Sequence, residues 1–584
     1  MANSRLLLQN YKHLLREKSF SRLQPKISIH NYSNAAIVTP KKPRTFLKLM
    51  LGTGVIAGVA GTALYETDDR FRHVIFAIQR SGISTSIGVR VAADYKWTLS
   101  KKYSSKEEEI KAKKECDQRC AERVLIGLQK LGGIYVKLGQ HISAMAYILP
   151  FEWTSTLSAL QDRCDPSSPE DIEALFLSDY GHSIDEIFEE FDWKPIGVAS
   201  LAQVHKARLR PDVNGVRLGN DGWVAVKLQH PRLDEFCKVD LGTVSFIMGY
   251  IKKAFPDFGF DWILQEMKES LPQELNFVHE ASNAQQVAQN FAQERAQNQT
   301  SLVIPDIVWA QRRIMFMEFI EGARIDDLAY MKEHDIDPST VSTELTEIFS
   351  KMMFLHGFLH CDPHPGNVLI RPAKDPKSKY NFDLVLLDHG LYRILTEELR
   401  TDYAHLWTSL IRGDEDGIRK YSLRVGCRPE AHRLFASLLT GREWETIESA
   451  DLSSNRTDIE VQRVSGRAKN FLLKVADILA RLPRVVLLLL KTSDLLRCLD
   501  ETLRDSVTKH MTYIIMGRYC AEAVWLDAKK SLFDSIATYG ISWNVLKQLF
   551  TAWWEYRSLE FGLWAYQARM SNWERLVRWK LVQA

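Results

Sequence analysis

Three short segments carry acidic, amide and lysine side chains at spacings that could hold a metal ion and phosphate groups. The segment GFLHCDPHPGN places Asp362 five residues before Asn367, and the apolar run LVLL leads into Asp388 of the tripeptide DHG. A third segment, VAVK, ends at Lys227. Carboxylate and amide oxygens are ligands that Mg²⁺ prefers, and an ammonium group can neutralise phosphate oxygens. Together these groups could bind a magnesium–triphosphate beside a nucleophile.

The order and spacing of these segments match the phosphate-handling residues of protein kinases. An Asp with an Asn five residues later is the spacing of the kinase catalytic loop, where the Asp faces the nucleophile and the Asn carbonyl reaches a metal. Asp388 takes the place of the Mg²⁺-binding Asp of the DFG motif, with His instead of Phe, and Lys227 that of the V-A-I-K lysine. Glu280, in a following helix, could pair with Lys227. Each motif alone is weak, because an Asp before His-Gly is usually a turn cap, but their joint order is specific.

The hydrophobic pattern predicts the elements that position these residues. The segments with strand-like texture are 189–228, 301–309 and 314–320. Helical periodicity covers 234–295 and dominates again from about residue 396. A β-rich lobe at 181–325 followed by a helical lobe at 326–510 predicts an α+β, protein-kinase-like bilobal fold.

The amino-acid sequences of several segments resemble the motifs of one protein family. HCDPHPGN, LLDHG and the loop ASLAQVHKA are similar to motifs of the UbiB, or aarF-domain-containing, atypical kinases, and Lys137-Leu-Gly-Gln140 matches their KxGQ signature. The resemblance covers residues 90–500 and is closest to the mitochondrial branch. It implies a kinase-like fold with a helical N-terminal extension, at 90–180, laid over the active site. It also implies binding of ATP or ADP and Mg²⁺, lipid-linked ATPase activity, and roles in coenzyme Q metabolism and mitochondrial lipid homeostasis.

The resemblance assigns a role to each matching side chain. Asp362 takes the catalytic position, and Asn367 and Asp388 are the implied Mg²⁺ ligands. The residues implied in nucleotide binding are Lys227, Glu280, Ala199, Ser200, Ala202, Gln203 and Glu318. The residues of a family-specific pocket are Lys137, Gln140 and Glu274. The chain departs from the family's Glu-x-Asp pattern at Asn276, which lacks the charge of Asp, and this puts a metal-binding or acidic role there in question.

Two features limit the expected substrate. After Gly390 the chain runs into helix with no room for a long activation segment and without an APE motif, whereas protein kinases use that segment as the platform for a peptide. A small or lipid-like substrate, or ATP hydrolysis alone, is therefore expected. Alanines replace the glycines of the nucleotide loop and restrict backbone approach to phosphates, which predicts slow turnover. The alternative is a catalytically silent pseudokinase that acts as an adaptor in lipid trafficking or membrane organisation.

Composition excludes several classes of protein. With 584 residues, 45% hydrophobic and 26% charged, the chain is neither disordered nor a multi-span transporter. A net charge of +3 gives no reason to expect nucleic-acid binding. The eight cysteines show no CxxC or zinc-type spacing. Cys116 and Cys120 lie one helical turn apart in a charged stretch and are predicted to be solvated thiols, with a metal or redox pair as the alternative.

The beginning of the chain is typical of a targeting segment and a membrane anchor. Residues 1–45 hold nine basic residues and one acid, which favours a mitochondrial presequence over a disordered basic tail. The segment 46–66, uncharged from Leu49 to Tyr65, predicts one transmembrane helix, with a buried helix or a cleaved sorting signal as alternatives. Basic residues before it and acidic residues after it predict an inner-membrane protein whose kinase-like domain faces the intermembrane space. Gly54 and Gly58 form a GxxxG motif that permits a homodimer or another complex.

The C-terminal segment 511–584 is rich in tryptophan and arginine. Seven of the fifteen tryptophans lie in the last sixty residues. This composition suits a bilayer interface, and with the resemblance it makes inner-membrane lipids such as cardiolipin, and a quinone-like lipid, the expected partners. It also suits packing of the last helices onto the kinase-like lobe, which we expect because Trp is a common core residue. Upstream of this segment, the run VVLLLL at 485–490 is too short to span a membrane and predicts a buried helix.

Overall fold

A computed structural model gives the fold of most of the chain. The described residues are 69–143, 149–160, 166–211, 222–231, 233–255, 261–449, 482–504 and 511–578. The predicted targeting segment 1–45 and the predicted transmembrane helix 46–66, with its GxxxG motif, lie outside these ranges. Within these ranges, no helix combines the length and the apolar character needed to cross a membrane.

The first described part of the chain is helical. Its helices are α1 (Asp69–Ser100), α2 (Lys106–Leu131), α3 (Ile134–Ser143) and α4 (Phe151–Leu157). Ser105 caps α2 by accepting a hydrogen bond from the Glu108 N–H, and Gly132 ends it with a φ of 65°. Arg80 of α1 pairs with the buried Asp240 at 2.6 Å. This pair joins the N-terminal helices to the helix at Leu233–Ala254, which lies between strands of the first sheet along the chain.

Cys116 and Cys120 are not the solvated thiols that the charged stretch predicted. Both are fully buried, and their sulfur atoms lie 4.0 Å apart. The charges of the stretch lie on exposed positions of the same helix, such as Lys114 and Glu115. Asp94 lies 3.7 Å from the Cys116 sulfur but is paired with two arginines, which disfavours a cation at this place. The charged residues therefore lie on the exposed face of α2, and the cysteines lie on its buried face.

The first lobe is built on an antiparallel sheet. Two short helices precede it, α5 (Pro169–Asp179) and α6 (Ile184–Ile187). The strands of the chain up to residue 318 are β1 (Phe188–Phe191), β2 (Gly197–Val198), β3 (Ala202–Leu209), β4 (Trp223–Gln229), β5 (Leu302–Val303), β6 (Ile307–Ala310) and β7 (Ile314–Glu318). The sheet has the order β1-β3-β4-β7-β6 with β2 beside β3, and β5 belongs to another sheet. Val224 and Val226 of β4 are buried with Phe176 on one face, so the alternation of side chains turns Lys227 to the other face.

Helices connect the sheet strands of this lobe. They are α7 (Leu233–Ala254), α8 (Asp261–Glu274), α9 (Phe277–Asn290) and α10 (Ala292–Ala296). Asn276 caps α9, since its side chain accepts a hydrogen bond from the Val278 N–H at 3.2 Å. Phe277 and Ala281 of α9 pack on the sheet face that carries Ala225. This packing brings α9 to the face toward which Lys227 points.

The second lobe is mainly helical and contains two small sheets. Its strands are β8 (Ala323–Arg324), β9 (Phe358–His360), β10 (Val368–Pro372), β11 (Phe382–Leu386) and β12 (Tyr392–Ile394). Its helices are α11 (Leu328–Glu333), α12 (Pro338–Ser350), α13 (Glu397–Arg412), α14 (Glu415–Arg424), α15 (His432–Thr440), α16 (Trp444–Glu448) and α17 (Arg484–Leu503). One sheet has the order β5-β11-β10-β8, and β12 pairs with β9. Residues 486–490 of α17 are buried, which confirms the helix predicted from VVLLLL.

Two long helices end the described chain. They are α18 (Met511–Tyr539) and α19 (Trp543–Arg578), and Gly540, with a φ of 79°, lies in the connection between them. The expectation that the tryptophans of this segment pack onto the lobe is wrong for most of those whose exposure is described. Trp543, Trp554 and Trp564 are 79%, 60% and 53% exposed. Among the tryptophans of this segment whose side chains are described, Trp525 of α18 is the one that stacks within the helix pair, on Tyr556.

Candidate nucleotide and metal site

A short strand and one histidine position the catalytic-loop segment. A π-helical stretch, Lys351–His356, ends at Gly357 with a φ of 63°, and β9 then leads to Asp362. His360 Nδ1 accepts a hydrogen bond from the Asp362 N–H at 3.0 Å, so its Nε2 carries the proton and donates to the Asp388 carbonyl at 2.8 Å. Burial lowers the pKa of His360, which keeps the ring neutral. This side chain fixes the two acidic segments relative to each other.

Asp388 holds one carboxylate oxygen in a hydrogen bond and exposes the other. The Gly390 N–H donates to Oδ1 at 2.8 Å, while Oδ2 lies 3.8 Å from the Lys227 ammonium. The side chain is 43% exposed. Desolvation opposes its charged form, but Lys227 and Lys137 outweigh this effect and hold the pKa of Asp388 below its usual range. The carboxylate is therefore ionised at neutral pH and accessible to a ligand.

His389, which replaces the Phe of a DFG motif, is a core side chain. Its Nε2 donates to the Leu386 carbonyl at 3.1 Å, and its Nδ1 accepts from the Tyr392 hydroxyl at 2.9 Å. Burial, together with the neighbouring His360, lowers the pKa of His389 to about 3. Both ring nitrogens are satisfied, so His389 supports Asp388 and is not available as a metal ligand.

Lys227 and Glu280 form the ion pair that the motifs predicted. The lysine Nζ lies 2.5 Å from Glu280 Oε1, and the two side chains are 13% and 3% exposed. Burial raises the pKa of Glu280, and the Lys227 ammonium opposes that rise. Asn283, one turn further along α9, donates to the His389 carbonyl at 2.9 Å. Helix α9 is thereby tied both to the lysine strand and to the DHG segment.

Lys491 of α17 binds Asp362, a contact that the sequence analysis missed. The Lys491 Nζ lies 2.8 Å from Asp362 Oδ1, and His364 Nε2 lies 3.8 Å from Oδ2. Desolvation opposes the charged form of Asp362, but Lys491, His364 and Lys137 hold its pKa below the usual range. The available signal was a single lysine directly after VVLLLL in a buried helix. No motif connects it to an aspartate 129 positions away.

Lys137 brings the N-terminal extension into the same cluster. Its Nζ lies 2.8 Å from Glu274 Oε2. Burial opposes its charged form, yet the carboxylates of Glu274, Asp362 and Asp388 raise the pKa of Lys137. A lysine that interacts with all three acids lies among the groups that would surround a nucleotide's phosphates. The structure thus places the KxGQ lysine beside the catalytic-loop and DHG acids.

Two buried polar atoms in this cluster have no hydrogen-bond partner among the described residues. They are His141 Nε2 and Glu274 Oε1. Burial, with Lys491 and Lys137 nearby, lowers the pKa of His141 to about 3, so its ring is neutral. Buried polar atoms are normally satisfied, and a bound ligand is one way to satisfy them. His141, directly after Gln140, is a second candidate that the motifs did not reveal.

The residues of the predicted nucleotide loop form a tight turn held against the extension. The Ala199 N–H donates to the Ala202 carbonyl at 2.8 Å. The Ser200 hydroxyl lies 3.3 Å from Gln140 Oε1, and Gln140 Nε2 donates to the Leu160 carbonyl at 3.0 Å. Ala199, Ser200 and Ala202 are therefore brought together with Gln140. The turn uses the Ala199 N–H internally, which leaves fewer backbone donors for phosphates than an open glycine loop would offer.

Gln203 is placed in the protein interior and not toward the acidic cluster. Its side chain is 1% exposed, and its Oε1 accepts from the Ser167 N–H at 2.7 Å. Its Nε2 donates to His205 Nε2 at 2.9 Å, and His205 Nδ1 donates to the Asp192 carbonyl at 2.7 Å. This chain of hydrogen bonds joins β3 to the segments on either side of it. Gln203 therefore has a structural role that the motif did not reveal.

Glu318 lies at the end of β7, away from the acidic cluster. It is opposite Val224 in the β4–β7 register, three residues from Lys227. At ~3.3 Å per residue this is roughly 10 Å along the strand. Its carboxylate lies 3.9 Å from Lys374. Glu318 is therefore separate from the lysine and acid side chains that converge.

The donor atoms of the cluster fit Mg²⁺ and phosphate. Asn367 Nδ2 donates to the Asp362 carbonyl at 3.1 Å, which leaves its Oδ1 available as a ligand. Mg²⁺ takes oxygen ligands such as this amide and the accessible carboxylate of Asp388. Lys227 and Lys137 supply ammonium groups for phosphate oxygens. Mg²⁺ bound there would neutralise charge on the terminal phosphates of a nucleotide.

Comparison with known proteins gives the family. Residues 159–422 match the model of the ABC1 atypical kinase-like domain. The chain is 42% identical over 470 residues to the "ABC1 family protein MCP2 homolog" of Schizosaccharomyces pombe, covering 78% of this chain and 82% of the relative. It is 39% identical over 517 residues to the "ABC1 family protein MCP2" of Saccharomyces cerevisiae, covering 87% and 89%.

A vertebrate relative matches over a similar length. The chain is 36% identical over 486 residues to the "AarF domain-containing protein kinase 1" of Mus musculus, covering 82% of this chain and 88% of the relative. The resemblance carried by the KxGQ, HCDPHPGN and LLDHG motifs is thus confirmed, and with it the kinase-like fold. The chain belongs to the ABC1, or UbiB/aarF, family of atypical kinases.

Proposed function

We propose that the chain is a Mg²⁺-dependent ATP- or ADP-binding atypical kinase or ATPase of the mitochondrial inner membrane. It acts on, or helps to extract, a lipophilic molecule, in mitochondrial lipid homeostasis and in coenzyme Q metabolism or distribution. The observation that carries the nucleotide part is the convergence of Lys227, Glu280, Asp362, Asn367 and Asp388, which come from four separate elements. A protein that only binds partners would need none of these groups in this arrangement.

Each side chain has a distinct task in this proposal. Lys227, oriented by Glu280, contacts phosphate oxygens. Asn367 and Asp388 hold Mg²⁺. Asp362, kept ionised, orients the attacking hydroxyl or water, and it reaches this position because its segment is fixed through His360 to the Asp388 segment.

The chain after Asp388 supports a small or lipid-like substrate. Strand β12 begins at Tyr392 and pairs with β9, and α13 begins at Glu397. The few residues in between are committed to this strand pair, so no long segment is available as a platform for a peptide. The proposal therefore disfavours protein phosphorylation.

The membrane and the compartment rest on the sequence. The basic, acid-poor segment 1–45 and the uncharged segment from Leu49 to Tyr65 support import into mitochondria and anchoring in the inner membrane. Protease treatment of intact and swollen mitochondria tests the orientation. Cleavage of the kinase-like domain after rupture of the outer membrane alone supports the intermembrane-space placement, and cleavage only after the matrix is opened contradicts it.

Two substitutions test the nucleotide chemistry. Asp388→Asn should abolish the Mg²⁺-dependent part of ATP or ADP binding, and Asp362→Asn should abolish hydrolysis while binding persists. Asp383→Asn is a control, because Asp383 is a more buried aspartate of the preceding strand, 12% exposed, that pairs with Arg371 at 3.0 Å outside the site. Wild-type binding and turnover in both site variants would refute the proposal. Quinone and lipid profiles of mitochondria carrying Asp388→Asn would then separate a coenzyme Q role from a phospholipid role.

One observation favours the alternative of a silent adaptor. Asp362 is already engaged by Lys491, and Lys137 lies among the same acids, so cationic side chains of the protein itself neutralise the cluster. An adaptor predicts that Asp362→Asn complements a null strain fully, whereas deletion of residues 46–66 does not. Loss of complementation by Asp362→Asn, with normal protein levels, would exclude it.

A further inference from the structure

Helix α19 carries a line of exposed apolar side chains, here called the aromatic stripe. Its members are Trp543 (79% exposed), Leu546 (41%), Phe550 (63%), Trp553 (38%), Trp554 (60%), Phe561 (67%) and Trp564 (53%). At ~100° per residue these positions fall within about 100° of the helix circumference. At ~1.5 Å per residue the stripe is about 32 Å long. Soluble proteins rarely expose an apolar surface of this extent without a partner.

The opposite face of α19 fixes the direction in which the stripe points. Leu563 is buried against Ile514 and Ile515 of α18, and Leu559 packs in the same cluster. Tyr556 stacks on Trp525 of α18 with ring centroids 6.2 Å apart. Because α19 is packed on one side through these residues, the stripe is the apolar surface that remains after the helix pair has formed. The stripe is therefore not the face of α19 that packs against α18.

The composition of the stripe points to a lipid surface. Six of its seven members are Trp or Phe and one is Leu, which are the residues that helices lying in a bilayer interface carry on their apolar face. A coiled-coil partner would instead favour Leu, Ile or Val along the seam. A single line of rings on a convex helix also fits a flat surface better than a compact pocket.

The charges that lie beside the stripe without an acidic partner on α19 are cationic. Arg557 lies within the stripe, Lys547 and Glu560 lie about 20° from its two edges, and Arg569 lies about 60° beyond the edge on the Lys547 side. The three cations are exposed. Arg557 forms an ion pair with Glu560 at 2.8 Å, whereas Lys547 and Arg569 have no ion pair in the described part of α19. Glu555 points well to the side of the stripe. Cations at the level of aromatic rings match the phosphates of anionic lipids.

We infer that the aromatic stripe of α19 lies in the headgroup region of an anionic phospholipid bilayer, with Lys547 and Arg569 against lipid phosphates. This inference is independent of the nucleotide chemistry. It gives the kinase-like domain a second membrane contact, separate from the predicted anchor at 46–66. It also accounts for the exposed tryptophans that sequence reasoning assigned to the core.

Quenching of tryptophan fluorescence by brominated lipids tests the inference on the full-length chain. No tryptophan occurs before Trp97, so the segment 46–66 gives no signal of its own. Vesicles of brominated phosphatidylcholine mixed with phosphatidylglycerol should quench part of the wild-type emission. A variant with Phe at positions 543, 553, 554, 564, 573 and 579, which replaces every tryptophan after Trp525, keeps the stripe apolar and should lose most of the quenchable part. The matched control is Trp97→Phe with Trp193→Phe, two residues that are 68% and 41% exposed elsewhere and should leave quenching unchanged.

Each other outcome contradicts the inference. Absence of quenching in the wild type, or quenching that survives the six-position variant, means that the stripe does not contact lipid. Equal quenching by vesicles of phosphatidylcholine alone overturns the role of the cations. Concentration-dependent self-association without lipid that Trp553→Ser and Trp554→Ser abolish, with no quenching by vesicles, would assign the stripe to a second copy of the chain.

Discussion

Replacing Lys491 with Met removes the ammonium group that binds Asp362 while keeping the length of the side chain. At a separation of 2.8 Å and an effective dielectric constant of ~20, the gross attraction of the pair is about 6 kcal/mol. The net contribution is smaller, because Asp362 is 22% exposed and His364 and Lys137 stay nearby. Removing one partner of a fully buried pair costs about 3–5 kcal/mol, so we expect this partly exposed pair to contribute about 2 kcal/mol to the free energy of unfolding.

The stability difference between wild type and Lys491→Met should depend on pH. Asp362 has a lower pKa in the folded than in the unfolded protein, so it stabilises the fold above the ordinary aspartate pKa of about 4. That stability is lost as the pH falls toward the folded-state pKa. Removal of Lys491 takes away the main cause of the depressed pKa. The gap between the two proteins is therefore largest at neutral pH and shrinks below about pH 4.

The same substitution should reduce ATP turnover. Lys491 holds the Asp362 carboxylate in place and compensates charge where the phosphoryl group would transfer. Loss of one preorganised charged donor lowers turnover about 100-fold in comparable sites. We expect a change of this size in hydrolysis, with a nucleotide Kd close to that of the wild type because Lys227 and Lys137 are retained. Steady-state hydrolysis and equilibrium titration measure the two quantities separately.

Lys351→Met is the matched control for Lys491→Met. Lys351 pairs with Glu294 at 2.6 Å, with exposures of 15% and 25%, against 2.8 Å, 11% and 22% for the pair in the site. It should cost similar stability and leave turnover unchanged. Equal loss of turnover in both variants would show that general destabilisation causes the loss. Higher turnover in Lys491→Met would show that the ion pair keeps Asp362 from taking part in catalysis, which refutes the positioning role of Lys491.

Substitutions at three further positions separate effects on stability and positioning from effects on nucleotide binding. Asn276→Asp should keep the cap of α9, whereas Asn276→Ala should lower the unfolding free energy by about 1 kcal/mol, measured by denaturant titration. Gln203→Leu leaves the Ser167 N–H unpaired and should cost about 1–3 kcal/mol of stability; a nucleotide Kd weakened tenfold or more would contradict its structural role. His360→Phe removes the two hydrogen bonds that join the acidic segments, and turnover should fall about 100-fold; wild-type kinetics would show that the segments hold their positions without it.

The residues that would contact phosphate and Mg²⁺ could be predicted from the sequence because each motif lies within a short stretch of the chain. Asp362 and Asn367 share one loop, and the pairing of Lys227 with Glu280 follows from a strand followed by a packed helix. Lys491 could not be found in this way, because its partner is distant in the chain and only the packing of α17 brings the two together. A single lysine at the end of an apolar run in a helix predicted to be buried indicates a candidate ion pair.

Burial was the other quantity that sequence patterns misjudged. Cys116 and Cys120 lie in a stretch whose charges describe the solvent face of α2, so average polarity concealed the buried face. The tryptophans of α19 were assigned to the core by residue type, but α19 has two apolar faces and packs with only one of them. Gln203 was predicted to bind nucleotide because it is adjacent to the loop at Ala199–Ala202. The alternation of side chains along β3 instead turns it into the protein interior.

The decisive measurement is a structure of the full chain with Mg²⁺ and ADP. We expect one magnesium ion between Asn367 and Asp388, with Lys227 on the phosphates and its pair with Glu280 intact. A nucleotide bound elsewhere, or an empty cluster in which Lys137 and Lys491 stay on their acids at saturating nucleotide, would contradict this expectation.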